Sequence, residues 1–245
     1  MKRPLLILVL LLAVTQWALA QSDEPVISAD RPGMATGTDI MPKGKVQWET
    51  GVGYEGDGGS AAYTLNNTLF RYGMVDWAEL RVGMDLLHAD GTTGLSALNI
   101  GTKIGLLENE GWVPAVSLLA NLQCPHIGSK AFVPSHLAPQ LYVLLQNQVT
   151  SWLSVGYNIG AEWDGDMAEP QSFAAVCLGF SLTESLGCFV ESYNYFHSTG
   201  STYAIDLGLN WVVARNLQLD IAANFNLQNP TNYLMVSGGV AWLIN

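Results

Sequence analysis

The residues best placed to do chemistry in this 245-residue chain are ionic groups set two apart. In "WAELRVGMDLL", residues 77–87, Glu79, Arg81 and Asp85 take alternate positions, and Leu80, Val82, Met84 and Leu86 take the others. Arg71 lies on the near side of a short break at 75–76, so a tight turn there brings Arg71, Glu79 and Arg81 together on one face. Guanidinium and carboxylate groups gathered on a strand face can do one of two things. They can sort a passing solute by charge, or they can pair with one another as static filling of a narrow interior, because an unpaired buried charge is costly. Both readings remain open at this level.

The face that carries these charges must be positioned by strands, and the alternation that defines them runs along most of the chain. "ALNIGTKIGL" sets Leu98, Ile100, Ile104 and Leu106 against Asn99, Gly101, Lys103 and Gly105. "LSVGYNIGAEW" sets Leu153, Val155, Tyr157 and Ile159 against Ser154, Gly156, Asn158 and Glu162. The period of two returns around Asp206 and again around Asp220. The non-apolar positions are mostly Gly, Asn, Ser, Asp and Glu, which suit a crowded polar interior better than a water-facing sheet. The inward set therefore comprises Arg71, Glu79, Arg81, Asp85, Lys103, Glu162, Asp206 and Asp220, with Glu49 and Glu191 beside them.

Twelve strands are predicted, near 45–55, 61–74, 77–88, 95–107, 113–123, 137–147, 151–163, 172–182, 187–196, 202–213, 217–227 and 232–244. Most reach the roughly 9–11 residues that cross a bilayer at a tilt. Connections after even-numbered strands are mostly tight, whereas "EGDGG", "HADGTTG", "QCPHIGSKAFVPSH", "DGDMAEPQ" and "HSTGST" after odd-numbered ones are longer. An even strand count with short turns on one side and loops on the other predicts an all-β fold, a transmembrane antiparallel up-and-down β-barrel of about 12 strands. Trp48, Tyr72, Trp77, Trp152, Trp163, Trp211 and Trp242 fall towards strand ends, as interfacial girdles require. A secreted β-sandwich is the alternative.

The remaining features fit export to an outer membrane. Lys2 and Arg3 precede an apolar run from Leu5 to Val14, and Ala18-Leu19-Ala20 supplies a cleavage site, so residues 1–20 read as a signal peptide of a Gram-negative bacterium. Residues 21–44 form a segment ahead of the barrel (45–245), either hanging in the periplasm or folding into the lumen as a plug. In the second case Arg31, in "ADRPG", pairs with lumen carboxylates. The net charge of -11 excludes a nucleic-acid partner, because no basic stripe exists to meet phosphates. Charged residues make up only 13% of the chain, about half the share usual in a soluble domain. The expected partners are outer-membrane lipid, a small-molecule solute and the barrel-assembly machinery.

Other chemistries find little support. Cys124, Cys177 and Cys188 are an odd count, and the turn at 183–186 sets Cys177 opposite Ser192 rather than Cys188, so no disulfide framework is expected. His88, His126, His136 and His197 lie at strand ends or in loops without metal-ligand spacing, so no metal site or cofactor is expected. No Gly-x-Ser-x-Gly elbow and no outward histidine accompany a nucleophile, which argues against an enzyme. No P-loop is present, so transport would be passive. A structural or loop-binding barrel with a filled lumen and no transport is the alternative function. Its loops are rich in Gly and Ser rather than in aromatic anchors.

The segment "ADRPGMATGTDIMPKGKVQWETG" at 29–51, followed by "LFRYGMVDWAELRVG" at 69–83, resembles the bacterial outer-membrane transporter proteins grouped as the putative MetA-pathway of phenol degradation family. The resemblance continues through "GTKIGLLENEGWVPAVSLLANL" and "VGYNIGAEWDGD" to the last strand. It implies an outer-membrane barrel that passes small molecules, with aromatic or hydrophobic solutes suggested by the family name. The chain ends Trp242-Leu243-Ile244-Asn245, whereas outer-membrane barrels commonly end on an aromatic residue that the assembly machinery reads.

Overall fold

The computed structural model describes residues 27–228 and 233–244, and the expected signal peptide lies outside the described residues. Among the described residues, thirteen strands form one antiparallel sheet. They are β1 (Val46–Asp57), β2 (Ser60–Val75), β3 (Ala78–Ala89), β4 (Thr92–Leu95), β5 (Leu98–Leu107), β6 (Ala115–Cys124) and β7 (Ala138–Gln148), then β8 (Leu153–Glu162), β9 (Gln171–Ser181), β10 (Leu186–His197), β11 (Gly200–Ala214), β12 (Leu217–Asn226) and β13 (Tyr233–Ile244).

Twelve of them close a barrel. Each pairs with its sequence neighbour, β3 pairs with β5, and β1 pairs with β13 in a continuous register from Val46↔Ile244 to Asp57↔Tyr233. Closure matters physically, because it leaves no open edge of unpaired N–H and C=O groups, which a hydrocarbon surround would not tolerate. The short β4 pairs only with the end of β3 and stands outside the closed wall.

Alternation decides which face looks inward. Gln47, Glu49, Arg71, Glu79, Arg81, Lys103, Ser117, Asn158, Glu191, Asp206, Gln218, Asp220 and Asn224 are all buried. Their apolar neighbours, including Val52, Leu80, Ile100, Ile159, Leu207 and Ile221, are exposed on the outer wall. The barrel is thus polar inside and apolar outside, the inverse of a water-soluble sheet. Aromatic residues mark both rims. Trp48 stacks on Phe70 and Trp152 on Phe180 at the short-turn end, where Tyr72, Trp77, Trp211 and Trp242 also lie. Tyr54 meets Tyr63, and Phe196 meets Tyr203, at the opposite end. Six of the seven aromatics expected to make two girdles therefore crowd one rim, and only Trp163 lies at the other.

Three local expectations need correction. The stretches "EGDGG" and "HSTGST" are not loops: β1 and β2 run on to a two-residue turn at Gly58–Gly59, and β10 and β11 to one at Ser198–Thr199. "HADGTTG" is also strand, because Asp90 (φ 51°) and Gly91 (φ 72°) both adopt the left-handed conformation that a two-residue hairpin demands. Finally, Cys177 stands opposite Glu191 rather than Ser192. That one-residue difference turns Cys177 inward, beside a carboxylate, because successive side chains alternate between faces.

The loop end keeps its two long connections, 125–137 and 163–170. In the first, Ser129 exchanges hydrogen bonds with the backbone of Leu95, and the Leu98 N–H donates to the Ile127 carbonyl, which ties the loop to β4 and to the start of β5. In the second, the Asp164 carboxylate accepts the backbone N–H groups of Met167 (2.8 Å) and Asp166 (2.9 Å), which hold its pKa below the ordinary value.

Candidate functional site

The segment 27–45 dips into the bore from the short-turn end and returns to it. It begins where the Ile27 N–H donates to Arg215 in the β11–β12 turn, and it ends where Gly44 and Lys45 bond to Gly73 and Pro42 ahead of β1. Between those points it crosses the lumen and is held from several sides. The backbone N–H groups of Met34 and Ala35 donate to Glu191 (3.0 and 2.9 Å). Asn158 accepts from the Thr36 N–H (2.7 Å) and donates to its carbonyl (3.1 Å), as a strand partner would. The Ser117 hydroxyl donates to the Thr38 carbonyl, and Met41 N–H donates to Glu79 (2.8 Å). An irregular segment inside a barrel has no ladder to satisfy its backbone, and inward side chains supply the missing partners.

Gly73 shows how closely the segment lies against the wall. A Cβ there would sit 2.1 Å from the Pro42 carbonyl oxygen and 2.5 Å from that of Met41, so only glycine fits.

The densest contact is ionic. Arg71 makes a two-pronged pair with Glu79, Nε to Oε1 and Nη2 to Oε2, both 2.9 Å, and its Nη1 reaches Glu49 at 3.1 Å. Arg81 donates from Nη1 to Glu79 (2.8 Å) and to Asp30 (2.5 Å). Lys103 donates to both oxygens of Asp30 (3.0 and 2.9 Å) and to the carbonyls of Gly37 and Asp39. Three cations from β2, β3 and β5 thus meet two wall carboxylates, and Asp30 of the inserted segment brings the anions to three. All are withdrawn from solvent, where such groups are tolerated only when paired and hydrogen-bonded.

A second ionic contact lies one residue on. Arg31 forms a fork-to-fork pair with Asp220 (3.2 Å from both Nε and Nη2) and donates to Asn67 (3.0 Å). Asn67 in turn donates to Asp85 (2.7 Å). The Arg31 guanidinium occupies a slot between Gly51 and Gly239, which face each other across the β1–β13 seam. A Cβ on either would fall within 2.3–2.4 Å of Arg31 Nη2.

Of the inward residues singled out from sequence, the structure gathers Arg71, Glu79, Arg81 and Lys103 into one cluster and links Asp85 and Asp220 through Arg31 and Asn67. Glu162 and Asp206 stand apart. Glu162 accepts from the Tyr142 hydroxyl and Gln171, and Asp206 faces Glu191 across the β10–β11 pair. Sequence reading missed Asp30 as the hub. It also missed an inward aromatic wall in which Phe173 packs edge-on to Tyr142 and beside Tyr195, with Tyr193 adjacent. Glycine at 51, 73 and 239 is the sequence trace that the close approach leaves.

Open space remains on both sides of the segment. A cavity of about 470 Å³ opens towards the loop end, lined by Arg31, Asn67, Asp85, Asn99, Gln123 and Phe132 among others. One of about 590 Å³ lies at the short-turn end, between Thr38–Ile40 and the ends of β5, β6 and β7.

A closed twelve-stranded antiparallel barrel with a polar bore and an apolar outer wall is the architecture of an outer-membrane channel of the porin kind. Among solved structures, the COG4313 outer membrane channel from Pseudomonas putida F1 is similar at a TM-score of 0.66 and 11% identity, covering 87% of this chain and 99% of that one. The KdgM porin (TM-score 0.59, 11% identity, 80% and 99% covered) and the NanC porin (0.58, 10%, 80% and 98%) share the fold. At such identities the likeness speaks for the fold alone. The family model described as "Putative MetA-pathway of phenol degradation" matches residues 29–244, and the chain belongs to that family. No curated protein sequence matches it.

Proposed function

We propose that the protein is a passive outer-membrane channel for small molecules, with residues 27–45 acting as a plug that sets how far the bore is open. The observation that carries this reading is the position of the segment between two chambers, one at each end of the bore. A barrel filled only for stability has no need of a chamber at both mouths. The ion pairs of Asp30 and Arg31 hold the plug, and displacing it would join the chambers. The loop end faces outward and the short-turn end faces the periplasm, in keeping with the usual arrangement of such barrels.

The chamber linings are mixed, because carboxylates, amides and hydroxyls such as Asp85, Asn99 and Thr68 stand beside apolar groups such as Leu69, Met84 and Phe132, so they suit a polar solute that carries some apolar surface. The aromatic or hydrophobic solutes suggested by the family description would find a matching surface at the Tyr142, Phe173 and Tyr195 wall. The neighbouring folds are porins and channels, and a non-enzymatic role accords with them.

Planar-bilayer recording of the refolded mature protein tests the reading. Discrete conductance steps, in the wild type or after Asp30→Asn, support a channel. Silence in both, with the barrel intact by heat-modifiable gel migration, overturns it in favour of a structural barrel.

A further inference from the structure

Beside the outer chamber lies a smaller one of about 230 Å³, and the two share Thr36, Arg81 and Asn121 as lining residues. The smaller chamber has an unusual combination of walls. One side is the aromatic surface of Tyr142, Phe173 and Tyr195, whose rings sit 5.2–5.8 Å from centroid to centroid. The other side is Arg81.

The guanidinium of Arg81 is used on one edge only. Both of its hydrogen bonds run from Nη1, to Asp30 and to Glu79. Among the described residues its Nε and Nη2 make none, and neither nitrogen is among the polar atoms sealed from solvent without a partner. Arg81 is nevertheless only 6% exposed and lines both chambers, so this edge is open to the bore and not to bulk water. A planar two-donor edge, held in place by two carboxylates behind it, matches the two oxygens of a carboxylate. Flat aromatic faces opposite match one face of a ring. Glu162 also lines the chamber, but its two oxygens already accept from the Tyr142 hydroxyl and Gln171, which blunts its repulsion of an anion. The volume suits a single ring.

The geometry points to a binding subsite for a small monocyclic carboxylate, with the carboxylate on the Nε–Nη2 edge of Arg81 and the ring against Phe173 and Tyr195. An aromatic acid and a ring-form sugar acid share this chemistry. As a statement of what the channel passes, the inference rests on the channel reading above; as a statement of binding it does not.

The test is isothermal titration calorimetry on the full mature protein refolded in detergent, with millimolar benzoate, glucuronate and the neutral benzyl alcohol. Benzoate, glucuronate or both should bind saturably at one site, with benzyl alcohol about tenfold weaker or worse, as loss of a charge-assisted pair implies. Binding of one acid alone identifies the source. Arg81→Lys keeps a cation for Asp30 and Glu79 but removes the fork, and it should abolish the preference for carboxylate. Phe173→Ala, remote from the ionic cluster, should weaken the acid that binds. The subsite is overturned if neither acid binds, if benzyl alcohol binds as well as benzoate, or if Phe173→Ala and every folded Arg81 variant leave affinity unchanged. Acid binding with silence in both the wild type and Asp30→Asn would leave the subsite standing and remove the channel. Conductance without acid binding would do the reverse.

Discussion

Arg71 and Arg81 stand directly opposite each other across the β2–β3 pair, and two carboxylates touch both: Glu79 from the wall and Asp30 from the inserted segment. Like charges placed opposite in a sheet repel. The wall answers part of that repulsion with Glu79 and Glu49, and the segment completes it. Seating of the segment and electrostatic balance of the wall are thus coupled.

Replacing Asp30 by Asn keeps the shape and removes the charge. Arg71, Arg81 and Lys103 would then face only Glu49 and Glu79, and breaking a buried pair from one side costs about 3–5 kcal/mol. The expected result is a loosened segment in an intact barrel. Trypsin should cut after Lys43 or Lys45 in the variant and spare them in the wild type, while both retain heat-modifiable migration; Arg31 precedes Pro32 and is no tryptic site. Equal resistance would count against the role given to Asp30.

Gly51 and Gly53 lie two apart on β1 but meet different surroundings. A Cβ at 51 would sit 2.3 Å from Arg31 Nη2 and 2.7 Å from the Gly238 carbonyl oxygen of the wall, whereas at 53 the nearest atom, the Val236 carbonyl oxygen, is 3.4 Å away, so the variants are compared only where heat-modifiable migration shows an intact barrel. Gly51→Ala should therefore expel Arg31 from its slot and raise protease access or conductance. Gly53→Ala should behave as wild type, and an equal effect from both would show that the slot has no special importance.

Arg31 and Asp220 form one unit, so their variants should not add. Arg31→Ala and Asp220→Asn should each loosen the segment, and the double variant should lie closer to either single than to their sum. A coupling of about 0.5–3 kcal/mol is typical of such contacts. A proteolysis midpoint for each of the four proteins measures it, and strict additivity would separate Arg31 from Asp220.

Cys177 offers a probe that needs no new residue. Its strand partner is Glu191, which accepts from Met34 and Ala35 of the plug, whereas Cys188 and Cys124 pair with the outward positions Phe180 and Leu98. A charged, membrane-impermeant thiol reagent should react slowly with Cys177 in the wild type and faster in Asp30→Asn. An unchanged rate would mean that the plug does not shield this part of the wall.

How much of this was legible in the sequence depends on the range of the interaction. Alternation is local, so all twelve wall strands stand within a few residues of where the pattern sets them, and the inward face is the charged one. β4 was signalled only by the Asp90-Gly91 hairpin turn, because its four residues are too few for periodicity to register. Alternation gives the face but neither the height nor the position around the barrel. Glu162 and Asp206 therefore looked like members of a constriction from which they stand apart. The place of the segment was not readable, because Asp30 reaches Lys103 across 73 residues and Arg31 reaches Asp220 across 189. Phe173 and Tyr195 were hidden for another reason: strand aromatics in such barrels are expected at the lipid interface, and these face the bore.

The most direct test of the account is single-channel conductance of the refolded mature protein beside a variant lacking residues 27–44. A segment that obstructs the bore gives small or absent steps in the wild type and large, stable steps in the deletion, with both proteins folded on a heat-modifiable gel. Identical conductance in the two folded proteins would contradict it, because the segment between the two chambers would then not obstruct the bore.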